Sequence, residues 1–115
     1  MKKLSFILML SLLFTACLSD KPKVTIKNDN SVDYDSISVF ANDKKTIFKN
    51  VSSGDSVTGE IYFSENNTSD GTYSIRLFKD GEISKSKTFG YYSHGSPQNS
   101  RFNIIIKKDS ILVEY

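Results

Sequence analysis

The groups able to do chemistry in this chain are few. Its 115 residues include one cysteine, Cys17, and one histidine, His94. A single histidine without cysteine partners cannot build the usual four-ligand zinc site. A serine-based acyl-transfer centre would need His94 beside a nucleophilic serine and a carboxylate, and no Gly-x-Ser-x-Gly elbow is present. Glu60, Glu65, Glu82 and Glu114 stand singly, whereas glycoside hydrolysis needs two facing carboxylates. No phosphate loop, dinucleotide fingerprint or calcium loop occurs. Asn28, Asp29, Asn30, Asp33 and Asp35 form a polar cluster that reads either as solvated turn chemistry or as Ca²⁺ ligands. The expectation is a protein that is not an enzyme and needs no cofactor or metal.

Two further patterns concern binding and modification. Residues 89–100 combine Tyr91, Tyr92, His94 and Asn99 with two glycines. Rigid aromatic area beside adaptable polar groups suits a recognition surface. The same segment also reads as a long sheet-crossing loop whose tyrosines cover the core. Asp35-Ser36-Ile37, Asp55-Ser56-Val57 and Asp109-Ser110-Ile111 repeat one tripeptide. It resembles the Asp-Ser/Thr-aliphatic acceptor for O-glycosylation of exported proteins in one group of Gram-negative bacteria. That resemblance implies glycans on Ser36, Ser56 and Ser110. The competing reading is a turn that ends in Asp-Ser before a β-branched residue opens a strand.

Cys17 closes an N-terminal segment of defined layout. Lys2 and Lys3 come first, an apolar run follows from Leu4 to Phe14, and Thr15 and Ala16 precede the thiol. About 11 apolar residues fit a secretory signal core and fall short of the ~18 needed to span a bilayer. Phe14-Thr15-Ala16-Cys17 resembles the lipobox of bacterial lipoproteins, with Phe14 where leucine is commoner. The resemblance implies cleavage before Cys17, a thioether-linked diacylglycerol and further acylation by fatty acids such as palmitate. Several acyl chains anchor stably, because each buried methylene contributes ~0.8 kcal/mol. Leu18 stands where some bacteria place an Asp as an inner-membrane retention mark, so the implied location is the outer membrane of a Gram-negative cell envelope.

Cleavage also changes the charge. The chain has 15 basic and 13 acidic side chains; without Lys2 and Lys3 the two signs balance at 13 each. A neutral exported domain carries no electrostatic footprint for nucleic acid. Ninety-nine residues remain of the 115, enough for one domain. The expected organisation is a signal peptide over 1–16, a lipidated tether over 17–22 and one folded domain over 23–115.

The elements that position these groups read as strands. Val24 and Ile26, then Ile37 and Val39, alternate with polar residues. Asn42 to Lys45 should close a hairpin into Thr46-Ile47-Phe48. Val57, Gly59, Ile61 and Phe63 share one face of a longer strand. Tyr73, Ile75 and Leu77 share another. Asp80-Gly81 is a strong tight-hairpin signal, predicting a strand from Glu82 to about Phe89 that pairs back on Thr72–Lys79. Phe102, Ile104 and Ile106, then Ile111, Val113 and Tyr115, complete the pattern. After an N-terminal signal helix, these predict an all-β, single antiparallel β-sandwich of about 7–8 strands. Asp70-Gly71-Thr72-Tyr73 resembles the Asp-Gly-x-Tyr start of a late strand in bacterial immunoglobulin-like and transthyretin-like modules. That implies a tyrosine packed beside the turn with its hydroxyl bonded to backbone.

The expected function is a non-enzymatic, membrane-anchored cell-envelope lipoprotein that acts as a binding or structural module. It would meet a protein or glycan partner through loops far from the tether. The alternative is a periplasmic inhibitor, or a small-ligand or glycan binder, using the 89–100 loop.

Overall fold

The structure, a computed structural model, describes residues 21–41, 44–63, 69–94 and 96–115. The signal, its expected helix, Cys17 and Glu65 lie outside them. Nine strands form among the described residues: β1 (Lys23–Asn28), β2 (Tyr34–Ala41), β3 (Lys44–Val51), β4 (Ser56–Glu60), β5 (Gly71–Lys79), β6 (Glu82–Ser93), β7 (Ser96–Pro97), β8 (Arg101–Ile106) and β9 (Ile111–Glu114). They build a four-stranded sheet, β4-β1-β8-β9, and a five-stranded sheet, β3-β2-β5-β6-β7. The fold is all-β, with the two sheets in a sandwich-like arrangement.

Alternation places the core. Val24 and Ile26 of β1, Ile37, Val39 and Ala41 of β2, Tyr73, Ile75 and Leu77 of β5, and Phe102, Ile104 and Ile106 of β8 are all buried. Each run has the period of two that turns every second side chain inward. Asp80 (φ 54°) and Gly81 (φ 79°) form the expected tight turn, with positive φ at both positions.

Three expectations are corrected. The sandwich is not wholly antiparallel: β1 and β8 run parallel, with Val24 beside Phe102 and Ile26 beside Ile104. A parallel pair needs a long crossover, and here the whole five-stranded sheet intervenes in the chain. The strand expected to stop near Phe89 continues to Ser93. Gly90, at φ +63°, makes a bulge, so the register jumps from Tyr73 opposite Phe89 to Gly71 opposite Tyr92. Residues 89–100 are therefore a strand end and a small β6–β7 hairpin, not one long loop. The strand expected through Phe63 ends at Glu60, although Ile61 is still buried and Phe63 packs on the core.

The two open sides of the sandwich are closed differently. On one side the Phe48 ring covers Gly59, where a Cβ would lie 2.9 Å from it. Thr46 Oγ1 donates to the Glu60 carbonyl at 2.6 Å. On the other side, Lys85 and Lys87 occupy β6 positions opposite the core residues Leu77 and Ile75. Lys85 Nζ donates to the carbonyls of Lys107, at 3.0 Å, and Lys108. Lys87 Nζ donates to the Ile111 carbonyl at 2.8 Å. Lysines that point inward along the stretch of β6 that β7 leaves uncovered discourage pairing with another chain. A groove of about 240 Å³ lies between these lysines and Asp109-Ser110-Ile111.

Strand directions sort the loops into two ends. The starts of β1, β5 and β8 meet the finishes of β4, β6 and β9 at one end. The loops 28–34, 51–56, 80–81 and 107–110 gather at the other. The chain enters at the first end. Pro22 is buried there and its carbonyl accepts from Ile61 N at 2.9 Å. Lys21 Nζ lies 4.7 Å from the Tyr62 ring centroid.

Candidate functional site at the aromatic end

The end where the chain enters is built from rings. Tyr73 is fully buried. Its ring lies 5.0 Å from Phe102, 5.4 Å from Tyr92 and 5.5 Å from Phe89. Phe63 meets Tyr92 edge-on at 5.1 Å. Tyr115 meets Phe102 edge-on at 5.7 Å, and its hydroxyl accepts from Gly90 N at 3.1 Å. Aromatic pairs in these geometries contribute ~0.5–1.5 kcal/mol each beyond area burial. Gly71 and Gly90 let the rings approach the backbone. A Cβ on Gly71 would lie 2.5 Å from the Tyr92 hydroxyl, and one on Gly90 would lie 2.7 Å from Tyr73 Cδ2.

The Tyr73 hydroxyl is buried without a hydrogen-bond partner among the described residues. The expected bond from this hydroxyl to backbone is therefore not formed there. The rings around it offer mainly carbon. Burial, with a smaller contribution from Tyr92, pushes its pKa up to about 12.

The sequence-predicted residues separate in this setting. Tyr92 is 4% exposed, so it belongs to the core rather than to a recognition surface. Its neighbour Tyr91 points the other way across the strand and is 48% exposed. His94 is exposed, with φ 51°, and its backbone N–H donates to Asp70 Oδ1 at 2.9 Å. That bond, with the Ser93 hydroxyl, holds the Asp70 carboxyl below its usual range. It joins the β6–β7 turn to the start of β5. Asn99 is half-buried beyond β7. Tyr91, His94 and Asn99 thus lie at the end where the chain enters, not at an end far from the tether.

Ser56 and Ser110 are exposed at the starts of β4 and β9, and Ser36 is half-buried within β2 between Lys49 and Phe78. Glu60 and Glu114 sit on the opposite edge strands of the four-stranded sheet. Three strand spacings separate those strands, about 14 Å, which is wider than the ~5–9.5 Å of a glycosidase pair. Glu82 lies at the other end of the sandwich, opposite Lys79.

The acidic cluster is occupied by turn chemistry. Asn28 is buried, and its Nδ2 donates to the carbonyls of Val32 at 2.8 Å and Val51 at 3.3 Å. Asp33 Oδ1 accepts from Ser53 N at 2.8 Å, and Asp29 pairs with Lys107. No three of the His, Cys, Asp or Glu side chains gather as a metal site among the described residues.

Two residues outside the sequence-based candidates complete this end. Tyr62 is 43% exposed and Tyr115 is 66% exposed. Alternation after Ile61 placed Tyr62 outside the core, whereas it set Tyr115 on the face of Ile111 and Val113; no local signal showed that both finish at the same end as Tyr91.

No family model and no curated protein matches the chain. It is similar in structure to a protein from Eubacterium rectale solved by NMR, with a TM-score of 0.51 and 14% identity over 84% of this chain and 88% of that one. At this identity the likeness concerns the fold alone.

Proposed function

We propose that the chain is a cell-envelope lipoprotein anchored through Cys17, whose sandwich is a non-catalytic binding or structural module. The observation that carries this reading is the segment from Lys2 to Cys17, ending four residues before Lys21. Packing of Lys21 on Tyr62 and burial of Pro22 support a body that begins almost at the anchor. The proposed location is the outer membrane.

Strand order supports the transthyretin-like expectation over the immunoglobulin-like one. An immunoglobulin sandwich sets its first strand beside its second and its third strand in the other sheet. In this chain β1 lies between β4 and β8, and β2 pairs with β3. Glycans on Ser56 and Ser110, both exposed, and on Ser36 remain part of the proposal. A second reading, an inhibitor or small-ligand or glycan binder, rests on the exposed Tyr91 and His94.

Fractionation with intact mass measurement tests the anchor. The wild-type chain is expected in membranes, with the mass of residues 17–115 plus diacylglycerol and acyl groups. Cys17→Ser should move it out of the processed membrane form. An unmodified wild-type mass would end the lipoprotein reading.

A further inference from the structure

We infer that the aromatic end is a lipid-facing surface, with Tyr62, Tyr91 and Tyr115 resting in the headgroup layer of the anchoring bilayer. This rests on the lipoprotein reading and adds an orientation to it. Among the described residues, six large hydrophobic side chains are well exposed: Tyr62, Tyr91, Tyr115, Ile47, Ile83 and Leu112. They are sorted by type. The three tyrosines follow or finish β4, β6 and β9 at the end where Pro22 packs. The three aliphatics lie elsewhere: Ile83 just after the Asp80-Gly81 turn, Ile47 opposite Ser38 and Leu112 opposite Ile105.

Tyrosine suits a boundary between hydrocarbon and water, because its ring is apolar and its tip is polar. Isoleucine and leucine have no such tip. The length of chain outside the sandwich fixes which boundary is meant. From Cys17 to Lys21 the chain advances four residues, at most about 14 Å when fully extended. The headgroup layer on one side of a bilayer is itself about 5–7 Å deep. An acylated Cys17 therefore holds this end no more than about 7–9 Å beyond the headgroup layer, and any tether short of full extension brings it closer. The charges here are mixed. Lys21, Lys23 and Arg101 are cations, while Glu60 lies opposite Lys23 and Glu114 opposite Asn103. The contact thus depends on the rings more than on net charge.

The chain has no tryptophan, so single reporters are clean. Tyr62→Trp, Tyr91→Trp, Tyr115→Trp and Ile83→Trp would each be placed in the full-length acylated protein. The protein would be reconstituted in phosphatidylethanolamine–phosphatidylglycerol vesicles carrying a nitroxide at headgroup depth. Quenching at the three tyrosine positions should exceed that at position 83 several-fold. Iodination of the wild-type chain, read by peptide mass, should show vesicles shielding the same three tyrosines, which covers any variant that folds poorly. Acylated protein with equal quenching and no shielding would overturn the orientation and leave the anchor standing. A chain whose mass shows no acyl group would overturn both.

Discussion

The two ends of the sandwich are closed by different chemistry. At the end where the chain enters, Phe63, Tyr73, Phe89, Tyr92 and Phe102 pack ring on ring, and one buried hydroxyl has no partner among the described residues. At the other end, Asn28, Asp33, Asp55 and Ser53 tie the loops together through side chain–backbone hydrogen bonds. Lys107 adds a surface ion pair to Asp29. A loop that spends its polar groups on its neighbours has few left for a partner. The ring-closed end leaves Tyr62, Tyr91 and two thirds of Tyr115 exposed. On the proposed reading, the surface left for a partner is the aromatic end, beside the proposed anchor.

Substitutions at each end should weaken the sandwich in different ways. Phe102→Ala removes the ring that touches Tyr73, Phe89 and Tyr115. It should cost ~3–5 kcal/mol in chemical denaturation and weaken the near-ultraviolet tyrosine signal. Asn28→Ala strips the donors from the Val32 and Val51 carbonyls. It should cost ~1–3 kcal/mol. Amide exchange should then quicken in residues 28–34 and 51–56 while the aromatic end stays protected.

Tyr73→Phe should be neutral or stabilising by up to ~1 kcal/mol, because it deletes an unpaired buried hydroxyl. The same substitution should flatten the pH profile. Tyr73 holds its proton up to about pH 12 when folded, against an unperturbed value of 10. Its neutral form therefore favours the folded state. That contribution is full below pH 10 and is lost as pH rises through 12. Wild type should lose stability more steeply than Tyr73→Phe across this interval; parallel curves would refute the assignment.

The smallest effect is expected at Lys107→Gln. The Asp29 carboxyl is lowered chiefly by its hydrogen bond to Lys107 and by that charge. Its contribution is present above the unfolded carboxyl pKa and is lost as pH falls through the lowered value. The pair is solvent-exposed, so a salt titration should erase the difference between wild type and variant.

Local pattern made much of the fold legible. Period-two alternation placed Val24, Ile37, Tyr73 and Phe102 in the core, and Asp80-Gly81 set one hairpin correctly. The parallel β1–β8 pair was not legible, because strand partners distant in sequence leave no local mark. Gly90 was visible as a glycine, but its positive φ, and so the bulge that carries β6 on to Ser93, depends on the crowding of Tyr73 and Phe102 around it. Tyr91 and Tyr92 looked alike as an aromatic pair, yet a strand turns one inward and one outward. Which loops share an end is a property of topology, so the proximity of residues 89–100 to Pro22 appeared only in three dimensions.

The proposed placement of the two ends relative to a membrane can be measured directly. Once Cys17 is acylated the chain has no other cysteine, so Gln98→Cys at the aromatic end and Lys108→Cys at the opposite end each carry a unique thiol. Labelling with a bulky polymer-linked maleimide would be timed for the full-length acylated protein in detergent and in vesicles. Vesicles should slow labelling at position 98 several-fold and leave position 108 unchanged. Slowing at position 108, or equal rates at both positions, would contradict the account.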